Sequence, residues 1–285
     1  MHMSTSLKRC TLCPRRCGID REAGERGFCG AGAVAKVAAV SVHHGEEPPL
    51  SGSGGSGNIF FTGCNLACLF CQNYPISRFG VGRDFSVAEI AEAMLSLQAR
   101  GVHNVNLVSP TPWVPHIIEA FAVAREKGFH LPLVYNCGGY EEVDTLRLLE
   151  GVVDVYLPDM KYASDGAAWR FSRVPRYTSF NRKAVAEMVR QKGALVTDGD
   201  GIATAGVLVR HLVLPGEANE TAAVFKAMQG VSRSLPLSLM YQYFPAYRAV
   251  GHRVLGRRLW REECREVEMA LWGAGLSSGW TQDYG

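Results

Sequence analysis

The chain predicts an α/β fold: an open (β/α)6 partial barrel with its site at the C-terminal strand ends, preceded by a small cysteine-rich segment. Three observations carry this reading. Six short runs rich in Val, Ile, Leu, Phe or Tyr read as strands, six helical periods alternate with them, and a glycine directly follows each helix. At 285 residues the chain can bury a large core. It divides into a cysteine-rich segment over residues 1–50 and a barrel over 51–285.

Taken in order, Lys36–Val42 alternates as a short strand that ends at His43-His44-Gly45-Glu46-Glu47-Pro48-Pro49. Adjacent histidines on a strand face opposite sides, so His43 and His44 are not read as a metal site. Gly52-Ser53-Gly54-Gly55-Ser56-Gly57 matches G-x-G-x-x-G but precedes a strand instead of following one, and is read as a loop. The barrel strands are expected at Asn58–Thr62, Asn104–Ser109, Leu131–Asn136, Val153–Pro158, Val207–Leu214 and Leu237–Gln242. Helices are expected at Val87–Arg100, Trp113–Lys127, Glu141–Glu150, Arg182–Lys192, Glu220–Gln229 and Arg261–Trp272, closed by Gly101, Gly128, Gly151, Gly193, Gly230 and Gly273. The first opens on the capping box Ser86-Val87-Ala88-Glu89 and carries Ile90, Met94 and Leu97 on one face. A doubly wound sheet is disfavoured because no phosphate loop appears. Gly275–Gly285 carries no interpretable motif.

Composition narrows the function. A net charge of +3 argues against nucleic acid and anionic membrane surfaces as partners, and no apolar run is long enough to span a bilayer. Met1 to Arg9 lacks the apolar core of a signal peptide, so a cytoplasmic protein is expected. In that compartment clustered cysteines read as metal ligands rather than disulfides. Cys64, Cys68 and Cys71 follow the first strand, a spacing that lets three thiolates converge on one soft centre and leaves it one ligand short of a closed site. Cys10, Cys13, Cys17 and Cys29 make a closed set in a segment with too few apolar side chains to fold alone. Zinc and an auxiliary iron–sulfur cluster both fit these four ligands. Cys137 and Cys264 stand alone and read as packed or surface thiols.

The barrel rule directs attention to the residues after each strand. Asp159 and Lys161 stand two apart, so an extended chain puts them on one side as a charge pair at the barrel mouth. Arg210 interrupts an apolar strand and needs an anion there, whereas His211 faces the other way and reads as a core or helix-facing histidine. Tyr241, Tyr243, Phe244 and Tyr247 form an aromatic cluster after strand six.

The stretch Cys64-x3-Cys68-x2-Cys71, with Phe70 before the third cysteine, resembles the cluster motif of the radical S-adenosylmethionine (SAM) superfamily. The Cys-Pro-Arg segment, Glu46-Glu47-Pro48-Pro49 and the Arg210 strand resemble an uncharacterised pyruvate formate-lyase-activating-enzyme-like branch. The resemblance implies a [4Fe-4S] cluster on the three cysteines and reductive cleavage of SAM to methionine and a 5′-deoxyadenosyl radical that abstracts hydrogen. It implies cofactor-binding roles for Phe70, Ser109, Thr111, Asn136, Asp159, Lys161 and Arg210. Ser109-Pro110-Thr111 replaces the family's usual Gly-Gly-Glu run, and Tyr135 stands where the activating enzymes carry an Asp. The implied partners are a glycyl radical enzyme or a peptide substrate, and a low-potential electron donor such as flavodoxin or ferredoxin. Two alternatives stand beside this: a radical enzyme acting on a small molecule or peptide, and a non-catalytic iron–sulfur or metal-binding protein.

Overall fold

Ser56–Phe61 sets inside from outside. Ile59 and Phe61 pack with Ile90, Met94 and Leu97 of the following helix, so Ser56, Asn58 and Phe60 face the opposite side of the sheet. The computed structural model describes residues 7–276 and 278–282. Residues 1–6 of the stretch read above for a leader, and Ser277 and residues 283–285 of the uninterpreted tail, lie outside them.

The strands are β1 (Ala35–His43), β2 (Ser56–Phe61), β3 (Arg83–Phe85), β4 (Asn104–Val108), β5 (Leu133–Cys137), β6 (Val155–Pro158), β7 (Val196–Thr197), β8 (Ala203–Val207), β9 (Val209–Leu212), β10 (Leu237–Met240) and β11 (Gly279–Thr281). The longer helices are α1 (Val87–Ala99), α2 (Val114–Glu126), α3 (Val143–Leu148), α4 (Asp165–Ser172), α5 (Tyr177–Lys192), α6 (Thr221–Val231) and α7 (Arg261–Gly273). Strands β2, β4, β5, β6 and β8 pair in parallel and in sequence order, and β9, β10 and β11 continue the same pattern in a second ladder. Sequential order is the mark of a singly wound partial barrel. Strand β1 adds antiparallel to β2, and β3 to β1.

All six expected strands form, but the fifth is broken. It runs as β8 and β9 with Leu208 between them, because its first half pairs with β6 and its second with β10. The ladder is not lost at the break: the Met160 N–H donates to the Arg210 carbonyl at 2.9 Å and Asp159 bridges to Arg210. The six helices also form, with the Ser86/Glu89 capping box in place. Two expected caps do not hold. Gly230 and Gly273 lie inside the last turns of α6 and α7, and Gly275 supplies the left-handed residue after α7. The tail contributes β11, three residues long and parallel to β10.

The barrel is plugged from below. His43 pairs with Ser56 at the N-terminal end of β2, so the loop between them folds under the strands. Leu50 from its single helical turn is fully buried with Val134, Val155, Leu157, Ala203 and Leu208, and its carbonyl accepts from Asn104 Nδ2 at 2.7 Å. The upper end is shaped by turns. Gly139 has φ 71°, and a Cβ there would fall 2.1 Å from the Asp159 carbonyl oxygen and 2.3 Å from Asn181 Nδ2. Gly139→Ala is therefore expected to cost about 3 kcal/mol, from left-handed strain plus overpacking. The urea-unfolding midpoint measures it, with the slope unchanged.

Candidate active site

The three cysteines after β2 occupy a loop with no regular structure of its own, held by its neighbours. The Ala67 and Leu69 N–H groups donate to the Ser172 and Phe171 carbonyls at the end of α4, at 2.9 and 2.8 Å. Each sulfur also has a hydrogen-bonding partner. The Leu66 N–H points at Cys64 Sγ at 3.4 Å, the Ser172 hydroxyl donates to Cys68 Sγ at 2.9 Å, and Cys71 Sγ lies 3.2 Å from Ser77 Oγ. Burial pushes the Cys64 thiol up, against the pull of the Leu66 N–H, and the Cys68 thiol up to about 11. Metal binding must therefore displace protons that burial holds in place. Phe70 packs edge-on against Tyr243, 6.1 Å between ring centroids.

Beside this loop the barrel encloses an ionic network. Lys161 Nζ donates to Asp159 Oδ2 at 2.6 Å, and Arg210 contacts Asp159 Oδ1 through Nε and Glu46 Oε2 through Nη1, each at 3.4 Å. Glu46 Oε1 accepts from the side-chain amides of Asn58 at 2.9 Å and Asn106 at 3.1 Å, which are paired in register on β2 and β4. Burial alone would lower the Arg210 pKa, but Asp159, Glu47 and Glu46 outweigh it and hold it raised. Burial would likewise raise that of Asp159, yet Lys161 and Arg210 keep it lowered. His211 faces away from the network, as alternation requires. Its Nδ1 lies 2.6 Å from the Met160 carbonyl and its Nε2 3.0 Å from Thr221 Oγ1, and burial lowers its pKa to about 4.

The remaining predicted residues sit at the ends of β4 and β5. Ser109 adopts a left-handed φ of 57° and donates its N–H to the Asn136 carbonyl at 3.0 Å. Asn136 is buried, and Thr111 donates its hydroxyl to Glu141 Oε1 at 2.8 Å. Glu141 also accepts from Tyr135 at 3.2 Å, and burial raises its pKa to about 8.

The N-terminal cysteines gather against this end of the barrel. Cys10, Cys13, Cys17 and Cys29 line one small cavity with Asn65 and Thr111. Gly27 makes room for the Cys17 sulfur, which would lie 2.9 Å from a Cβ at that position. Among the described residues, no three His, Cys, Asp or Glu side chains converge on the position of a single metal ion. Cys137 and Cys264 are buried in the core with α5, α6 and α7 residues.

Residues 58–227 match the model of the Radical SAM superfamily. The chain belongs to that superfamily. It is 31% identical over 275 residues to the uncharacterized protein MJ0674 of Methanocaldococcus jannaschii, covering 93% of this chain and 74% of that protein. It is 27% identical over 113 residues to the pyruvate formate-lyase-activating enzyme of Listeria monocytogenes, which covers 36% of this chain and 45% of the enzyme. Among solved structures it resembles HydG, a maturase of the [FeFe]-hydrogenase (TM-score 0.52, 12% identity, 79% of this chain and 50% of that one). It also resembles methylornithine synthase, PylB (TM-score 0.51, 15% identity, 76% and 62%). At these identities the structural likeness speaks to the fold alone.

Membership of the radical SAM superfamily implies a [4Fe-4S] cluster and SAM. The cysteine loop fits a three-thiolate centre: three sulfurs on one short loop, each with a hydrogen-bonding partner, an N–H for Cys64 and a serine hydroxyl for Cys68 and Cys71, of the kind that tunes cluster ligands. No helix among the described residues is long and apolar enough to cross a membrane. The sequence reading missed three groups here. Glu46, which joins β2, β4 and β9 through one carboxylate, comes from a loop without periodicity. Arg15 follows Pro14 in a turn and Glu141 follows Tyr140 at an expected helix start, places where charge is ordinarily solvated.

Two outcomes follow. Arg210→Met removes the cation from between Asp159 and Glu46 and leaves buried charge uncompensated, so a loss of about 3–5 kcal/mol is expected in denaturant unfolding. For Glu141 the folded carboxyl binds its proton more tightly than the unfolded one, at an ordinary value of 4.5. Its contribution is full below that pH and is lost as pH rises through about 8. Thermal melts of Glu141→Gln against the parent should converge below about pH 4.5 and separate progressively from there to about pH 8, above which the gap is constant, the variant gaining relative stability.

Proposed function

We propose that this radical SAM enzyme reductively cleaves SAM at a [4Fe-4S] cluster held by Cys64, Cys68 and Cys71. The resulting 5′-deoxyadenosyl radical abstracts hydrogen from a glycine of a partner enzyme. The observation that carries the reading is the cysteine loop itself, placed at the C-terminal end of β2 beside a buried network of matched charges. When bound, the cluster supplies the electron that breaks the sulfonium bond.

The chain's own residues bind and orient. Asp159, Lys161 and Arg210 are the groups proposed to meet SAM, with Phe70 packing and Ser109, Thr111 and Asn136 lining the neighbouring strand ends. Arg210 and Lys161 are already half-committed to Asp159, so an incoming carboxylate would share these cations and leave the network paired. Burial keeps water from quenching a radical. Glycyl-radical activation rests on the partial likeness to the Listeria enzyme. A low-potential donor such as flavodoxin or ferredoxin would supply the electron, in the cytoplasm. Cys10, Cys13, Cys17 and Cys29 are proposed to hold a second metal site, an auxiliary cluster or zinc.

A second reading, a small molecule or short peptide as substrate, is favoured by one observation. The N-terminal segment is tied to residues just after β4 and β5, with Arg16 paired to Glu142 at 2.6 Å and Arg21 donating to the Pro112 carbonyl at 2.7 Å, so it would stand where a bulky partner loop has to enter.

The deciding assay is 5′-deoxyadenosine formation by anaerobically reconstituted, dithionite-reduced protein. The parent is expected to form it and Cys64→Ala to lose at least a hundredfold of the rate. Parent protein with verified iron and sulfide that binds no SAM and forms no product would instead support the non-catalytic, metal-binding reading.

A further inference from the structure

Arg15 stands two residues beyond Cys13, yet its side chain belongs to the other cysteine loop. Its Nε donates to the Asn65 carbonyl at 2.7 Å and its Nη2 to the Arg173 carbonyl at 2.7 Å. The guanidinium lies 3.2 Å above the Phe28 ring. The Asn65 carbonyl and the Leu66 N–H are the two ends of one peptide group, and that N–H is the donor to Cys64 Sγ. A cation bonded to the oxygen polarises the peptide and strengthens the donor at its far end. The second contact works in parallel. Arg173 closes α4 in a left-handed conformation, and Ser172, one residue before it, supplies the hydroxyl that meets Cys68 Sγ. One guanidinium therefore bonds the peptide that donates to Cys64 and the residue next to the one that donates to Cys68.

The same segment is seated against the loop by its backbone. Gly63, the residue before Cys64, has φ 91°, and a Cβ there would fall 2.7 Å from the Cys29 carbonyl oxygen. Both cysteine sets thus press on one short stretch of chain. Asn65 is fixed from its other side by Nδ2 donating to the Tyr140 carbonyl at 2.6 Å.

Building on the cluster and second metal site proposed above, we infer that Arg15 is a positioning residue that raises the reduction potential of the Cys64/Cys68/Cys71 cluster, and that metal at the four N-terminal cysteines fixes Arg15 in that role. Hydrogen bonds to the sulfurs and nearby positive charge both favour the reduced, more negative cluster, so their loss lowers the potential. Metal at Cys13 and Cys17 closes the turn that carries Arg15, and an open turn would release the side chain.

The test is a redox titration followed by electron paramagnetic resonance, reading the signal that SAM perturbs, with iron, sulfide and zinc measured on each sample. Arg15→Ala is expected to keep its iron and titrate at a more negative midpoint. Arg15→Lys retains charge but cannot donate to both carbonyls in the same fork, and should fall between. Cys17→Ser, whose thiol is exposed, should lose the N-terminal metal and shift in the same direction as Arg15→Ala. A full-iron Arg15→Ala with the parent midpoint overturns the inference, as does a Cys17→Ser that loses metal without a shift. If Arg15→Ala loses its cluster, the Lys variant decides, since a purely structural role predicts lost iron with no directed shift in what remains. Failure of the underlying reading looks different. Cys64→Ala would then keep the SAM-perturbed signal, or a Cys64/Cys68/Cys71 triple Ala variant would carry no metal at the N-terminal site.

Discussion

A guanidinium buried between two carboxylates is the constraint around which this barrel is arranged. Arg210 cannot be held in an apolar interior without anions, and Asp159 alone is already shared with Lys161. The second anion, Glu46, must come from outside the strands, which requires the β1–β2 loop to fold beneath the barrel and send its carboxylate upward. That same loop brings Leu50 into the lower core. The plug, the antiparallel β1 that delivers it, and the in-register asparagines that hold Glu46 from its other oxygen belong to one solution of one electrostatic problem. The direction of the amides follows too. With Nδ2 turned to the Glu46 carboxylate oxygen, the buried Oδ1 atoms of Asn58 and Asn106 are left without hydrogen-bond partners among the described residues. Reversing either amide would set oxygen against oxygen.

The N-terminal segment solves a different problem. Four thiols and few large side chains give it little core, so its attachment depends on arginines that reach outward to carbonyls and a carboxylate: Arg15 to Asn65 and Arg173, Arg16 to Glu142, Arg21 to Pro112 and Gly32. Backbone carbonyls at strand and helix ends are the acceptors that secondary structure leaves over. A guanidinium, with five donors in a fixed fork, can use several at once. The segment is thereby joined to the turns after β2, β4 and β5 and to the end of α4, the parts that surround the candidate site.

How much of this could be read in the sequence varies with the physics. Strands and helices were legible wherever burial imposes a period, which is why all six units appear with shifts of a few residues. The broken fifth strand was not, because a change of pairing partner leaves no mark on an apolar run. Gly230 and Gly273 looked like caps, but helical packing of Phe225, Met228 and Cys264 carries both helices past them. The cysteine spacing and the charges at Asp159, Lys161 and Arg210 stood out because buried charge and clustered thiols are rare. Glu46 and Arg15 did not, since nothing local separates a charged loop residue facing solvent from one that reaches across the fold to a partner more than fifty positions away or, as with Arg15 and Asn65, fifty positions away.

A ligand loop with so few internal hydrogen bonds cannot keep its own geometry. The Cys64–Cys71 loop makes the Cys71 N–H to Cys68 carbonyl contact at 3.2 Å and the Leu66 N–H to Cys64 Sγ contact at 3.4 Å, and otherwise takes its order from elsewhere: two bonds from its amides to the end of α4, Asn65 held by Tyr140 and Arg15, and Phe70 seated on Tyr243. Sites on loops are as exact as the shell that supports them. The shell here is drawn from four separated parts of the chain, and its most polar member is an arginine from outside the barrel. The sulfur environment is therefore a property of how the N-terminal segment docks as much as of the three-cysteine motif, so a change in that segment alters the candidate site without altering any residue within it.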